Sequence, residues 1–283
     1  MKRSDFRFAD SLRVRWAEVD MQQVVFNAHY LMYVDTAMGG YWRALALPYE
    51  ATLAALGGDL FVRKATLEYA APARYDEVLA VGIRFAAAGT SSLRFAAAVF
   101  RGDELLVHGE LVYVWTDAAT KQPRPVPDAL LAALRAHEAG EDMVSVELGT
   151  WDEFGPEAQA IRTAVFVDEQ RVPVALEHDA EDAKAVHALA RNRLGLALGT
   201  GRLLAGDPAR IGRMAVRRDL RGSGVGRRVL DALAAAAGAR GDAEIMLHAQ
   251  VSALAFYRRA GFVAHGAPFE EAGIAHQEMR RRP

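Results

Sequence analysis

Residues 211–240, IGRMAVRRDLRGSGVGRRVLDALAAAAGAR, constrain the fold more than any other part of this chain. An apolar run, Ile211 to Val216, leads through a basic turn into Arg221-Gly222-Ser223-Gly224-Val225-Gly226, and an alanine- and leucine-rich segment follows at once. The pattern predicts a strand from Ile211 to Val216, a glycine turn and a long helix over 224–239. Glycines at a strand-to-helix junction let backbone approach a ligand closely, and the free N–H groups of a new helix favour an anion. Arg217, Arg218, Arg221, Arg227 and Arg228 add positive charge around the same turn. The combination suits a pyrophosphate. A nucleotide P-loop is excluded, because the glycine turn is not followed by its lysine and serine or threonine pair. The spacing G-x-G-x-G also fails the dinucleotide fingerprint.

The run R-x-x-G-x-G resembles the pyrophosphate loop of the GNAT N-acetyltransferases, and the likeness extends from about Val146 to the C-terminus. In the family's order the chain shows a short strand, a helical segment (161–170), and strands at 186–194 and 197–204. The loop strand and helix follow, then EIMLHAQ (244–250) as a strand, SALAFYRRAGF (252–262) as a helix, and a final strand region. VFVDEQ, GTGRLL, AFYRRAGF and FEEAGIAHQEM add to the resemblance, which implies transfer of acetyl from acetyl-CoA to an amine. It assigns the pyrophosphate to Arg221, Gly222, Ser223, Gly224, Val225 and Gly226. The backbone of Met214, Ala215 and Val216, on the family's splayed fourth strand, would hold the pantetheine arm and thioester. Tyr257 would protonate the departing thiolate. An amine is protonated at neutral pH, so a base is needed as well; Glu169, Glu177 and His178 are the candidates in acceptor-facing segments, and no one of them stands out.

The first half reads as a different unit. A chain of 283 residues fits two domains better than one. TDAATKQPRPVP forms a proline-containing turn, DALLAALRAHE (128–138) a helix, and AGEDM a polar break, so domains over 1–140 and 145–283 are expected. From Ala28 to Leu47 a helix carries only Asp35 and Arg43 as charged groups, and should be buried on nearly every face. Gly39 and Gly40 within it should each cost about 1 kcal/mol relative to alanine, which suggests backbone packed against a sheet. Strands follow at about 60–70, 76–88, 91–101 and 104–116; in the last, Leu105, Val107, Gly109, Leu111, Tyr113 and Trp115 share one face. A long helix wrapped by a curved antiparallel sheet is the hotdog architecture.

RVRWAEVDMQQVVFNAHYLMYVD, residues 13–35, resembles acyl-CoA thioesterases of the 4-hydroxybenzoyl-CoA type, and PARYDEVLAVGIRF, GTSSLRF and YVWTDAATKQPRPVP recur in that family's order. The resemblance makes Asp20 the catalytic carboxylate, as nucleophile or as base for water. It puts Asn27 where a backbone N–H polarises the thioester carbonyl, at a helix N-terminus suited to developing negative charge. Two departures stand out. Gln23 replaces a glycine frequent before the apolar pair, and Asn27 replaces an aromatic or histidine side chain. The family also pairs its hotdog domains so that sheets join and the site lies at the interface, which implies at least a homodimer.

The expected architecture is therefore a two-domain α+β and α/β protein. An N-terminal hotdog fold, an antiparallel sheet around a central helix, precedes a C-terminal GNAT acyl-CoA N-acyltransferase fold, a mixed central sheet flanked by helices. The expected function is acyl-CoA hydrolysis in the first and acetyl transfer to a small-molecule or peptide amine in the second. The alternative is a single transferase with a non-catalytic hotdog module for acyl-CoA binding or dimerisation. His29 reads as a core histidine beside the site; Arg63, Ser91 and Ser92 serve CoA phosphates or solvent; His276 has no evident role. Eight histidines lack a metal-ligand spacing and cysteine is absent, so no metal is expected and thiol chemistry is excluded. The net charge of −2 gives no argument for nucleic acid or anionic membrane. With neither an apolar signal core nor a bilayer-length run, the expected location is cytoplasmic.

Overall fold

The computed structural model describes residues 1–177 and 179–283, which divide into two compact units, Met1–Met143 and Val144–Pro283. The first contains β1 (Phe8–Arg13), α1 (Asn27–Ala44), α2 (Tyr49–Leu56), β2 (Gly58–Tyr69), β3 (Val78–Ala88), β4 (Ser92–Arg101), β5 (Glu104–Asp117) and α3 (Asp128–Ala139). Its strands form one antiparallel sheet in the order β1-β3-β4-β5-β2, and α1 packs on β1, β3 and β4. This is a hotdog fold. Apolar alternation drives it: Val107, Leu111, Tyr113 and Trp115 of β5 are all buried. Leu105 is only half-buried and Leu106 takes its place inside, because the register against β4 shifts between Val99 and Phe100. Tyr41 closes the core from α1. Its ring meets Phe8 and Phe95 edge-on at 5.8 Å, and its hydroxyl donates to Glu138 Oε1 at 2.6 Å.

The central helix is covered on fewer faces than its composition predicts. Tyr30, Tyr33, Val34, Ala37, Met38, Tyr41 and Trp42 are buried, yet Leu31 and Met32 are 41% and 44% exposed. Asp35, Thr36, Gly39 and Arg43 share that open side. A continuous apolar run says that faces can be buried, not which ones are. The two glycines differ accordingly. A Cβ on Gly40 would meet the Phe8 ring at 2.8 Å and the Asp10 carboxylate at 2.9 Å, whereas nothing lies within 4 Å of one on Gly39. Only Gly40 is explained by close packing.

Gly109, in the middle of β5, is the tightest approach in this unit, since a Cβ there would sit 1.9 Å from the Thr66 carbonyl oxygen of β2. Gly109→Ala should therefore destabilise the hotdog unit by about 1–3 kcal/mol through forced strand separation. A thermal-unfolding midpoint equal to that of the wild type would refute this.

The second unit contains β6 (Val144–Gly149), α4 (Trp151–Arg162), α5 (Val174–Glu177), β7 (Val186–Asn192), β8 (Ala197–Leu204), β9 (Ala209–Val216), α6 (Val225–Arg240), β10 (Ile245–Gln250), α7 (Leu254–Arg259), β11 (Val263–Ala264), β12 (Phe269–Glu271) and β13 (Ile274–Arg281). The sheet order is β11-β13-β10-β9-β8-β7-β6, with β12 on β13; β9 and β10 run parallel and the other pairs antiparallel. β8 is buried along nearly its whole length and touches both α4 and α6, as a strand with both faces covered must be.

Two helices have other bounds than the sequence suggests. The helical segment expected over 161–170 begins at Trp151, because Thr150 caps it: its N–H and hydroxyl donate to the Glu153 carboxylate at 2.8 and 3.0 Å. Gly155 and Pro156 lie inside this helix without ending it. The chain then continues in a wider helical turn over Thr163–Glu169. The helix expected over 252–262 is shorter, since Gly261 leaves it with φ +86°.

Candidate functional site

In the first unit the chain delivers Asp20 and the start of α1 through one closed loop. Val19 and Val25 bridge, the Asp20 N–H donates to the Val24 carbonyl at 2.9 Å, and the Phe26 N–H donates to the Glu18 carbonyl at 2.9 Å. Asp20 is half-buried, and its Oδ1 accepts the Gln22 N–H at 2.8 Å. Gln23 adopts φ +62°, a left-handed conformation that glycine takes without strain, so the loop keeps its shape despite the missing glycine. At the helix start the His29 N–H is taken by the Phe26 carbonyl, while Asn27 and Ala28 present first-turn N–H groups with no intrahelical acceptor. The Asn27 carbonyl accepts the Tyr69 hydroxyl at 3.2 Å.

Glu18 anchors this loop. It is buried, and its Oε2 accepts the Tyr33 hydroxyl at 2.6 Å and the Arg15 N–H at 2.7 Å. Burial and the adjacent Glu18 carboxylate push the Tyr33 hydroxyl far above its ordinary pKa, so it remains a donor. Sequence reasoning missed Glu18; the only signal was an acidic residue two positions before Asp20, with no partner visible until Tyr33 packs against it. His29 is half-buried and meets Phe26 edge-on at 6.0 Å.

In the second unit the parallel pairing of β9 with β10 covers only Ile245–Ala209 and Met246–Arg210. Beyond these the strands part. On its other edge β9 stays paired with β8 through Val216, but Arg213 and Met214 form a bulge opposite Gly201, with Arg213 at φ +52°. The parting opens a cleft of about 380 Å³, lined by Met214 from β9, His248 and Gln250 from β10, Tyr257 from α7, and Glu271 from β12. Tyr257 is 8% exposed, and burial pushes its hydroxyl up to about 12. It therefore carries its proton at neutral pH.

The glycine turn stands at the start of α6. Gly222 and Gly224 take φ +85° and +92°, and nothing lies within 4 Å of a Cβ on either. Gly226 is close-packed instead: a Cβ there would meet Val216 Cγ2 at 3.3 Å and the Phe256 ring at 3.7 Å, which brings α6 against the neighbour of Tyr257. The N–H groups of Val225, Gly226 and Arg227 begin the helix without intrahelical acceptors. The Ser223 hydroxyl is taken up within the turn, donating to the Leu220 carbonyl at 2.6 Å. The surrounding arginines are not equivalent. Arg227 pairs with Asp231 at 2.7 Å, and Arg228 donates to the Val144 carbonyl at 3.0 Å. Arg221 lies at the turn, 2.9 Å from Glu169 Oε2, and donates to the Val216 carbonyl at 3.2 Å.

Of the sequence-derived base candidates, Glu177 is 1% exposed and held by Arg162, whose Nη2 lies 2.7 Å from Glu177 Oε2 and whose Nη1 reaches Asp182 at 2.9 Å. Arg202 joins Asp179 and Asp182 in the same cluster at 2.6 and 2.7 Å. Glu177 is thus a buried structural anion. Glu169 is tied to Arg221, and His178 lies outside the described residues.

Residues 150–283 match the family model of the acetyltransferase (GNAT) domain, and residues 14–134 that of the thioesterase-like superfamily. The uncharacterized N-acetyltransferase YjcF of Bacillus subtilis is 32% identical over 123 residues, covering 43% of this chain and 87% of that protein. The chain belongs to the GNAT family through its second half, and its first half matches the thioesterase-like model. Its hotdog domain is similar to the acyl-CoA thioester hydrolase YbgC of Escherichia coli, 27% identical over 125 residues, covering 44% of this chain and 92% of that one. Its GNAT domain is similar to a solved acyl-CoA N-acyltransferase of Pseudomonas aeruginosa, 31% identical with a TM-score of 0.45, covering 49% of this chain and 99% of that one. No helix among the described residues of either domain is long and apolar enough to cross a membrane.

Proposed function

We propose that the protein is a bifunctional CoA-thioester enzyme. Its hotdog domain hydrolyses an acyl-CoA through Asp20, and its GNAT domain moves acetyl from acetyl-CoA to a small-molecule or peptide amine in the cytoplasm. One observation supports both halves: each brings a proton-handling side chain close in the fold to a helix N-terminus with open N–H groups. In the first, Asp20 attacks the thioester carbonyl or draws a proton from the attacking water, while the Asn27 N–H stabilises the oxyanion. Carboxylate and free thiol leave as products. In the second, the turn from Arg221 to Gly226 takes the pyrophosphate, and the open edge of β9 at Met214, Ala215 and Val216 holds the pantetheine arm. Tyr257 protonates the thiolate as the C–S bond breaks.

A homodimer through the hotdog sheet fits the exposed surface. β2 is an edge strand with Phe61, Val62 and Tyr69 exposed by 45%, 52% and 53%, and α1 leaves Leu31 and Met32 open. A second reading, a hotdog module kept only for acyl-CoA binding or assembly, draws support from the turn bond between Asp20 Oδ1 and Gln22. Thiol release from a panel of acyl-CoAs by the intact protein separates the two, because a binding module leaves the rate at background.

Two further outcomes test the transferase half. Arg221→Glu should weaken acetyl-CoA binding about 10-fold or more, by removing one charge-assisted contact and adding repulsion. Calorimetric titration giving an unchanged affinity would count against the cradle. Tyr257→Phe should lower kcat for acetyl transfer about 100-fold with little change in cofactor affinity. An equal fall in affinity and rate would make Tyr257 a packing residue.

A further inference from the structure

We propose that His248, oriented by Glu271, is the general base that takes the proton from the acceptor amine. This rests on the transferase reading above. His248 lies on β10 just past Met246, the last residue paired with β9, and so lines the cleft with Met214 and Tyr257. Its Nδ1 is 3.0 Å from Glu271 Oε2. A carboxylate only accepts, so in the neutral ring the proton sits on Nδ1 and the Nε2 lone pair is left for substrate.

A short hairpin braces the pair. Glu271 ends one arm of a β12–β13 hairpin whose turn residues, Ala272 and Gly273, both have positive φ, +52° and +76°. Phe269 of the same arm meets the His248 ring edge-on at 4.8 Å and stacks on His276 at 6.1 Å. His276 donates from Nδ1 to the Ile274 carbonyl at 2.8 Å, which makes it a support for Phe269. Across the sheet His248 faces Glu278, which is taken up by Arg280 at 2.6 Å and His265 at 3.2 Å. Glu177 is buried under Arg162, and Glu169 is paired with Arg221.

The step balances. His248 Nε2 takes a proton from the ammonium, and the freed amine attacks the acetyl carbonyl carbon, forming the C–N bond. The C–S bond breaks and the thiolate takes the Tyr257 proton. The extra proton on the amide nitrogen returns to Tyr257 through solvent, and the imidazolium releases its own.

The test uses the full chain, acetyl-CoA and spermidine, lysine methyl ester and an alanine-initiated peptide as probe amines. Acetylated product is read by mass, so hydrolysis in the other domain does not count. His248→Gln should lower kcat about 100-fold with acetyl-CoA affinity unchanged, and Glu271→Gln about 10-fold. A His248→Gln variant keeping more than about one-third of kcat overturns the proposal, because no positioned base is lost so cheaply. Independently of any acceptor, long-range proton–nitrogen NMR should show neutral His248 protonated at Nδ1; an Nε2–H tautomer overturns it. Failure of the wild-type chain to bind acetyl-CoA would instead remove the transferase reading, and the proposal with it.

Discussion

Asp20→Asn is expected to lower thiol release from acyl-CoA thioesters by about 1,000-fold or more, the usual consequence of removing a nucleophile or its base. The substitution is unusually clean here. Asparagine has the same shape, and its Oδ1 can still accept the Gln22 N–H that closes the loop at 2.8 Å. The Val19–Val25 bridge and the Glu18–Tyr33 hydrogen bond lie outside the change. Folding stability should therefore stay near wild type while hydrolysis is lost. Equal background rates in both proteins, with acyl-CoA binding intact, would sink the thioesterase reading and favour the binding module.

The second large effect is on stability. Arg162 is 1% exposed and holds Glu177 and Asp182, with the Trp151 ring 5.3 Å from its guanidinium. Arg162→Met fills most of the volume but leaves two buried carboxylates short of a cation. Breaking a buried pair from one side costs about 3–5 kcal/mol, a large part of the 5–15 kcal/mol that keeps a domain folded. Urea unfolding followed through Trp151 should show the GNAT unit losing most of its stability, and a loss under about 1 kcal/mol would mean water replaces the guanidinium.

The same cluster sets acid sensitivity. Hydrogen bonds and charge from Arg202 and Arg213 hold Asp179 well below the usual aspartate value of 3.8. Burial pushes Asp182 up, but Arg162 and Arg202 outweigh it and the net shift is downward. A folded pKa below the unfolded one means stability that is fully present above the unfolded value and lost as pH falls through the folded one. The unfolding midpoint of the GNAT unit should therefore hold steady above about pH 5 and decline below about pH 4. A midpoint flat down to pH 2 would show that the carboxylates do not titrate with unfolding.

Features set by neighbours in sequence were legible. The glycine turn at Gly222–Gly226 and the alternation along β5 from Val107 to Trp115 follow from local backbone freedom or a period of two, whereas the loop carrying Asp20 was read from a family resemblance. Arg227 and Arg228 show where that legibility stops: both read as charge for the turn, yet one is held by Asp231 and the other by Val144. Glu177 read as one of three candidate bases in an acceptor-facing segment, because nothing nearby in sequence announces Arg162. His248 carried no signal at all, since its partner Glu271 reaches it only when the short hairpin folds over β10.

By itself, then, the sequence determined the two fold classes, the order of most of their elements and the position of the glycine turn before α6. These are consequences of hydrophobic period and of the conformations glycine allows. The tertiary structure decided which charges are spent in the interior, which side of α1 stays open and which polar groups share the cleft left by β9 and β10. Those depend on contacts between segments far apart in the chain, where burial and partnership, not residue type, set what a side chain can do.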